Sequence, residues 1–409
     1  APTGPTAIRA LDAGEVKVDY SIPDLVFHGM SDALKNVEAH DVTAVIDASK
    51  APIPTPTPTA APNQKVSLPA FFPDRLEATN INLTIKKQPQ DMVIKNLNLG
   101  LYPKKEGKLQ IDKVQIPGVH TWTDITATTT YANKNLYLHN LTLDQNNKLE
   151  MVNVDASQVG QGKLGLQFKG TLGGGQVASK IDLSTAGKTY QTNTSVHAQD
   201  ISLGKLGELI GKSPGHFSGD VKSADIDLKG GLDQPATWNG TISTDISNLR
   251  QGKISLDQVK LDAEAANGHA TVREARIDQA NNHVQVRGSI ELPQTTTGFG
   301  QTPGNFQIAV DAPDLQQLTS FMTQPATGSL QANGNVKTGD GKVQLDLQAN
   351  GNLIGFQGAA VNHLTANISA AKKMSAPNEK KNAPAPPFYE GVSSSVPADL
   401  HAVRYGNYA

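Results

Sequence analysis

The 409-residue chain contains no cysteine, so no disulfide framework holds it together and no thiolate does chemistry in it. Aromatic residues make up only 5%, with two Trp among them, too few for the aromatic girdles of a transmembrane β-barrel. Charged residues are 18% and the formal charge is −2. With no field of one sign, and no Lys/Arg cluster interleaved with aromatics, a nucleic-acid partner is disfavoured. No run of residues has the apolar length of a transmembrane helix or a signal peptide core. The absence of cysteine in so long a chain suits the bacterial periplasm or outer surface. The chain begins at Ala1 without methionine, and residues 398–409 read as a strand and a turn with nothing following to pair with them. A piece of a longer protein is therefore expected.

What is present is Thr, Asn, Gln, Ser and Gly in abundance, and one repeated pattern. Leu109, Ile111, Val114 and Ile116 are spaced apolar–polar–apolar, two polar, apolar–polar–apolar, and similar spacing recurs at 76–83, 136–143 and 254–261. Strict alternation puts Leu109 and Ile111 on one face of a strand and Val114 and Ile116 on the other. One extra residue restores the face. A β-bulge at Asp112-Lys113, His139-Asn140, Asp257-Gln258 and Thr79-Asn80 is therefore expected, returning all four apolar side chains to one surface and bending the strand. The fold expected is mostly β: an elongated, curved antiparallel sheet forming a trough, with a few short amphipathic helices.

Along the chain, residues 1–50 read as an N-terminal α/β segment, with a helix over 23–37 competing with a strand at 15–20. Residues 51–65 are a Pro/Thr-rich linker or loop. Short strands follow almost without a break, at 76–86, 92–102, 108–116, 121–131, 135–143, 148–155, 163–171, 176–184, 188–198, 216–229, 236–247, 253–265, 269–278 and 283–292. Two helical patches, Leu203 to Ile210 and Leu315 to Met322, align at an offset of 111 or 112 residues. They divide the remainder into β segments 66–199, 200–310 and 311–370, the second and third opening with a short helix. The hexapeptide Leu-Gln-Ala-Asn-Gly-Asn occurs at 330–335 and again at 347–352, as neighbouring strands of one sheet would allow. Residues 371–397 read as a flexible Lys/Pro/Ser-rich loop, and 398–409 as the truncated start of a further strand.

Sites of chemistry fail on context. Gly160, Gly162 and Gly165 have dinucleotide spacing but precede a strand pattern, where the motif requires a helix. Gly207, Gly211, Lys212 and Ser213 approximate a phosphate loop, yet end a helix whose C-terminus repels phosphate. The ten histidines have no metal-ligand spacing. No nucleophile elbow is present, and Ser393, Ser394 and Ser395 fall in the flexible segment. Asp225 and Asp227 alternate along one strand face as outward decoration, and Trp122 and Trp238 are expected to cover the edge of the apolar surface. No enzyme activity, metal or cofactor is expected.

The residues Leu68-Pro69, Ile81, Leu83 and Ile85; Val93, Ile94, Leu97 and Leu99; Leu109 to Gly118; Tyr131 to Leu143; Phe217 to Gly240; Ile254 to Val259; and Val286 to Pro293 together form a degenerate pattern over most of the chain. In it the sequence resembles the AsmA-like (TamB-like) family of bacterial envelope proteins. The resemblance implies a trough-like sheet, open along one side and lined by apolar side chains, that shelters phospholipid or other acyl lipid crossing the periplasm between inner and outer membranes. It also implies inner- and outer-membrane proteins at either end, and an inner-membrane anchor through a segment absent from this chain. The lining residues expected are Leu109, Ile111, Val114, Ile116, Leu136, Leu138, Leu141, Leu143, Ile254, Leu256, Val259 and Leu261. The competing expectations are that these residues fill a closed core, or that the protein is a structural or assembly scaffold, such as a β-solenoid adhesin or an outer-membrane protein assembly factor that pairs strands at an exposed edge.

Overall fold

The computed structural model of the protein describes residues 8–22, 34–47, 73–86, 90–186, 189–211, 217–320, 322, 324–356, 358–373 and 392–405. The chain divides into two compact units, Ala1–Pro214 and Gly215–Ala409.

In the first unit, β1 (Ile8–Tyr20), β2 (Leu34–Asp47), β3 (Arg75–Lys86), β4 (Met92–Leu101), β5 (Gly107–Ile116) and β6 (His120–Ala132) pair in succession. Then come β7 (Asn135–Thr142), β8 (Lys148–Asp155), β9 (Lys163–Leu172), β10 (Gly175–Ala186) and β11 (Thr189–Ser202), each beside the last, before helix α1 (Leu203–Leu209). The second unit continues the scheme with β12 (Ser218–Gly231), β13 (Gln234–Gln251), β14 (Ile254–Ala266), β15 (His269–Gln279), β16 (Asn282–Glu291) and β17 (Gly304–Ala312). After helix α2 (Leu315–Leu318), β18 (Thr327–Gly339), β19 (Lys342–Phe356) and β20 (Ala359–Lys373) follow. The short β21 (Val392–Ser395) and β22 (Ala398–Tyr405) lie in tandem along β20.

The strands expected from 76 to 292 match β3 to β16 closely, because alternating patterns broken by turn residues dictate short hairpins. Three expectations are corrected. Residues 34–37, assigned to a helix over 23–37, begin β2, since β1 and β3 flank β2 and take up its backbone hydrogen bonds; residues 23–33 lie outside the described part. The sheet is not wholly antiparallel: β2 and β3 run parallel, with Val37 opposite Leu76 and Ile46 opposite Ile85. A parallel neighbour requires a crossover of a dozen or more residues, and the Pro/Thr stretch 51–65, outside the described residues, falls within that connection. At the far end, residues 371–373 and 392–395 are strand, and residues 398–405 pair with β20.

The twin helices are present at the expected offset, Leu203 corresponding to Leu315. Beyond α1, Gly211 adopts φ +73°, and a Cβ there would fall 1.0 Å from the carbonyl oxygen of Val119. α2 is capped by Asp314, whose carboxylate accepts from the amides of Gln316 and Gln317. The buried Asn282, first residue of β16, both donates to the Asp314 carbonyl and accepts from its amide, at 3.0 Å each, which fixes the helix start to the sheet. Val159–Gln161 form a 3₁₀ turn and β9 begins at Lys163, so Gly165 is already in a strand and no helix follows that motif. The duplicated hexapeptide lies on β18 and β19, with Ala332 opposite Ala349.

Candidate functional site

Residues paired across neighbouring strands share a face of the sheet, so the registers define rows of side chains. In the first unit one row runs Leu11, Ala44, Leu83, Ile94, Val114 and Trp122 across β1 to β6. Another runs Val16, Ala39, Ala78, Leu99, Leu109 and Ala127 across the same six strands. On every strand the two rows are five residues apart, an odd number that alternation would place on opposite faces. The exposure of β6 shows the change of phase: Trp122 is half-covered, Thr123 and Asp124 are both exposed, and Ile125, Ala127 and Tyr131 are buried.

The residues between the rows cause that change. Asp41, Asn80, Asn96, Asp124 and, farther along, Asn140 adopt left-handed backbone with φ of +48° to +56°. Asn and Asp tolerate this conformation better than other residues with a Cβ. The side chains of neighbouring asparagines take up backbone amides of these left-handed residues. The Asn80 amide donates to Asn98 Oδ1 at 2.9 Å and the Asn96 amide to Asn82 Oδ1 at 3.1 Å. Asn80 Nδ2 donates to Asp41 and Asn96 Nδ2 to Asp112, both at 2.7 Å. The line of left-handed residues is thereby stitched from β2 to β5.

The bulges expected at Asn80 and Asn140 coincide with register shifts in the β3–β4 and β6–β7 ladders. Those assigned to Asp112-Lys113 and Asp257-Gln258 are corrected: the β4–β5, β5–β6 and β13–β14 ladders keep one register through these residues. The left-handed residues are Asn96 and Asp124 on the strands flanking Asp112, and Asn248 on the strand facing Asp257. An aspartate can serve the turn from across the ladder: Asp112 accepts from Asn96, and Asp257 accepts the Ala280 amide.

In the second unit a row runs Val221, Ile246, Val259, Ile277, Val284, Val310, Ala332, Ala349, Ala366 and Ala398, apolar on every strand that it crosses. Of the twelve lining residues expected from the sequence, Leu141 is buried at 9% exposure and Ile254 is exposed at 40%. The other ten are half-buried, Leu143 standing just beyond β7. Leu109, Ile111, Val114 and Ile116 are joined to β7 through β6, which contributes Ile125 and Trp122. The apolar positions of β1, β2 and β15 to β20 lie outside the expected lining; the five-residue spacing on β1 and β2 is the sequence signal for them. Trp122 stands over His120 with ring centroids 5.0 Å apart, and Trp238 Nε1 donates to the Gly231 carbonyl, near the strand end.

Ionisable groups cluster away from these rows. Arg75 bridges Glu38 and Glu77 at the start of β3. Asp278 is buried, which by itself raises its pKa, but hydrogen bonds and charge from Arg276 and His283 lower it overall. Burial pushes the Tyr131 hydroxyl up to about 12 while it donates to the Pro73 carbonyl at 2.6 Å. These groups serve strand ends and turns. Asp225 and Asp227 are exposed between half-buried Ile226 and Leu228. Among the described residues no three His, Asp or Glu side chains are grouped to hold a metal, and no helix is long and apolar enough to cross a membrane. Chemically, the rows offer an extended apolar surface without a polar anchor. Compared with protein-family models, with curated proteins and with solved structures, the chain matches none.

Proposed function

We propose that the apolar face binds acyl lipid, such as phospholipid, and conducts it along the sheet, in the periplasm between inner and outer membranes as in the AsmA-like family that the sequence resembles. The observation that supports this most is the pair of apolar rows across β1 to β6, with left-handed residues between them and most positions left half-exposed. Each methylene removed from water contributes about 0.8 kcal/mol, so a continuous apolar surface retains an acyl chain while the headgroup stays hydrated. Membrane proteins at either end would load and unload it. The assembly-scaffold reading draws on a different observation. Among the described residues β1 pairs with β2 alone, and it exposes Leu11 and Val16 along an edge suited to strand addition.

Lipid extraction and native mass spectrometry of the purified protein should find copurifying phospholipid; its absence would count heavily against the proposal. Leu138→Asp and Leu256→Asp, checked for folding, should each abolish photocrosslinking to an acyl-chain probe at the altered position. An assembly scaffold would lose nothing by these changes.

A further inference from the structure

The opposite face of β16 to β20 carries a hollow of about 630 Å³. It opens on the polar side: Gln285 and Arg287 line it, whereas Val286 between them belongs to the apolar rows. One row across its floor reads Gln285, Ala309, Asn333, Gln348 and Asn367, in register on five successive strands. The short Ala309 among longer neighbours leaves the depression. In the adjoining row, Gln307 and Asn335 lie between Arg287 and Asp346. Arg287 and Asp346 are the only charged residues of the lining, one of each sign.

We propose that this hollow binds a neutral oligosaccharide. Asn333, Gln348, Asn367, Gln307 and Asn335 make no side-chain hydrogen bond among the described residues, so their amides present both donors and acceptors to a ligand. They repeat at the spacing of neighbouring strands, about 4.8 Å, which favours a chain with hydroxyls repeated along its length over a single small polar molecule. Balanced charge disfavours polyanions. Ile308, Ala309, Leu347 and Ile368 add apolar lining beside the amides, and the strands are already paired on both sides, which excludes an added peptide strand. The volume is within the usual range of ligand sites, about 300–1,000 Å³. No aromatic side chain lines the hollow, so binding lacks ring stacking and is weak.

The test is saturation-transfer NMR and calorimetry on the full chain with maltohexaose and chitohexaose. Transfer to at least one is expected, and the double variant Asn333→Ala/Gln348→Ala should weaken it at least about tenfold. Both side chains are exposed, so the variant should keep the wild-type circular dichroism and melting temperature. Leu138→Asp, in the other unit, should bind sugar as the wild type does, whatever becomes of the lipid reading. No transfer from either sugar, undiminished binding by the double variant, or binding of acidic sugars only would overturn the assignment.

Discussion

At the scale of single residues, the chain depends on asparagine where a curved strand needs a left-handed residue. Asn80 has two tasks, holding φ +53° and donating to Asp41, and substitutions separate them. Asn80→Gly keeps access to the backbone conformation and loses the side-chain bond, at about 0.5–1.5 kcal/mol. Asn80→Ala loses the bond and also meets the left-handed penalty of roughly 1–2 kcal/mol for a residue with a Cβ. Urea denaturation should therefore order the variants wild type, Gly, Ala; an alanine variant as stable as the glycine one would remove the backbone conformation from the explanation. The sequence revealed that a bulge was needed at Thr79-Asn80 and His139-Asn140, because apolar spacing breaks there. It did not reveal that the ladders at Asp112 keep their register while Asn96 and Asp124 on the flanking strands take the left-handed backbone, since pairing between strands decides which residue does so.

At the scale of elements, most strands were legible because each is a hairpin partner of the next, so local pattern and turn chemistry agree. β2 was the exception. Leu34 and Val37 suit a helical stripe, but β2 lies between β1 and a parallel β3, and the partner that completes its ladder is separated from it by the whole crossover. Helix α2 presents a related lesson. Its sequence is amphipathic, yet its position depends on Asn282 and on the small residues of neighbouring strands: α2 lies against β18, and Ala332, Ala349 and Ala366 are buried to 2–3% exposure. Ala349→Leu has no space to fill and should cost about 1–3 kcal/mol. Thermal unfolding would check it against Gln344→Leu at an exposed position, expected to lie within about 0.5 kcal/mol of wild type. Equal losses would mean that the alanine row is not tightly packed.

At the scale of the whole molecule, the two units share one property, a face that is apolar from strand to strand, on a chain whose net charge is only −2. Lipid held by such surfaces should be largely indifferent to ionic strength, because burial of methylenes is not screened by salt while contacts to charged headgroups are. Equilibrium transfer of a fluorescent acyl lipid from neutral and from anionic vesicles should therefore give similar affinities, changing less than about threefold between low salt and 1 M; a steep loss with salt would place the affinity in headgroup contacts. By itself the sequence determined that the chain would form short strands with one apolar side, because alternation and turn residues act over a few positions. Tertiary structure decided the parallel join of β2 to β3, which strand of each pair takes the left-handed residue, and the assembly of separate apolar patterns into rows. Those depend on hydrogen bonds and contacts between residues far apart along the chain, which local spacing does not encode.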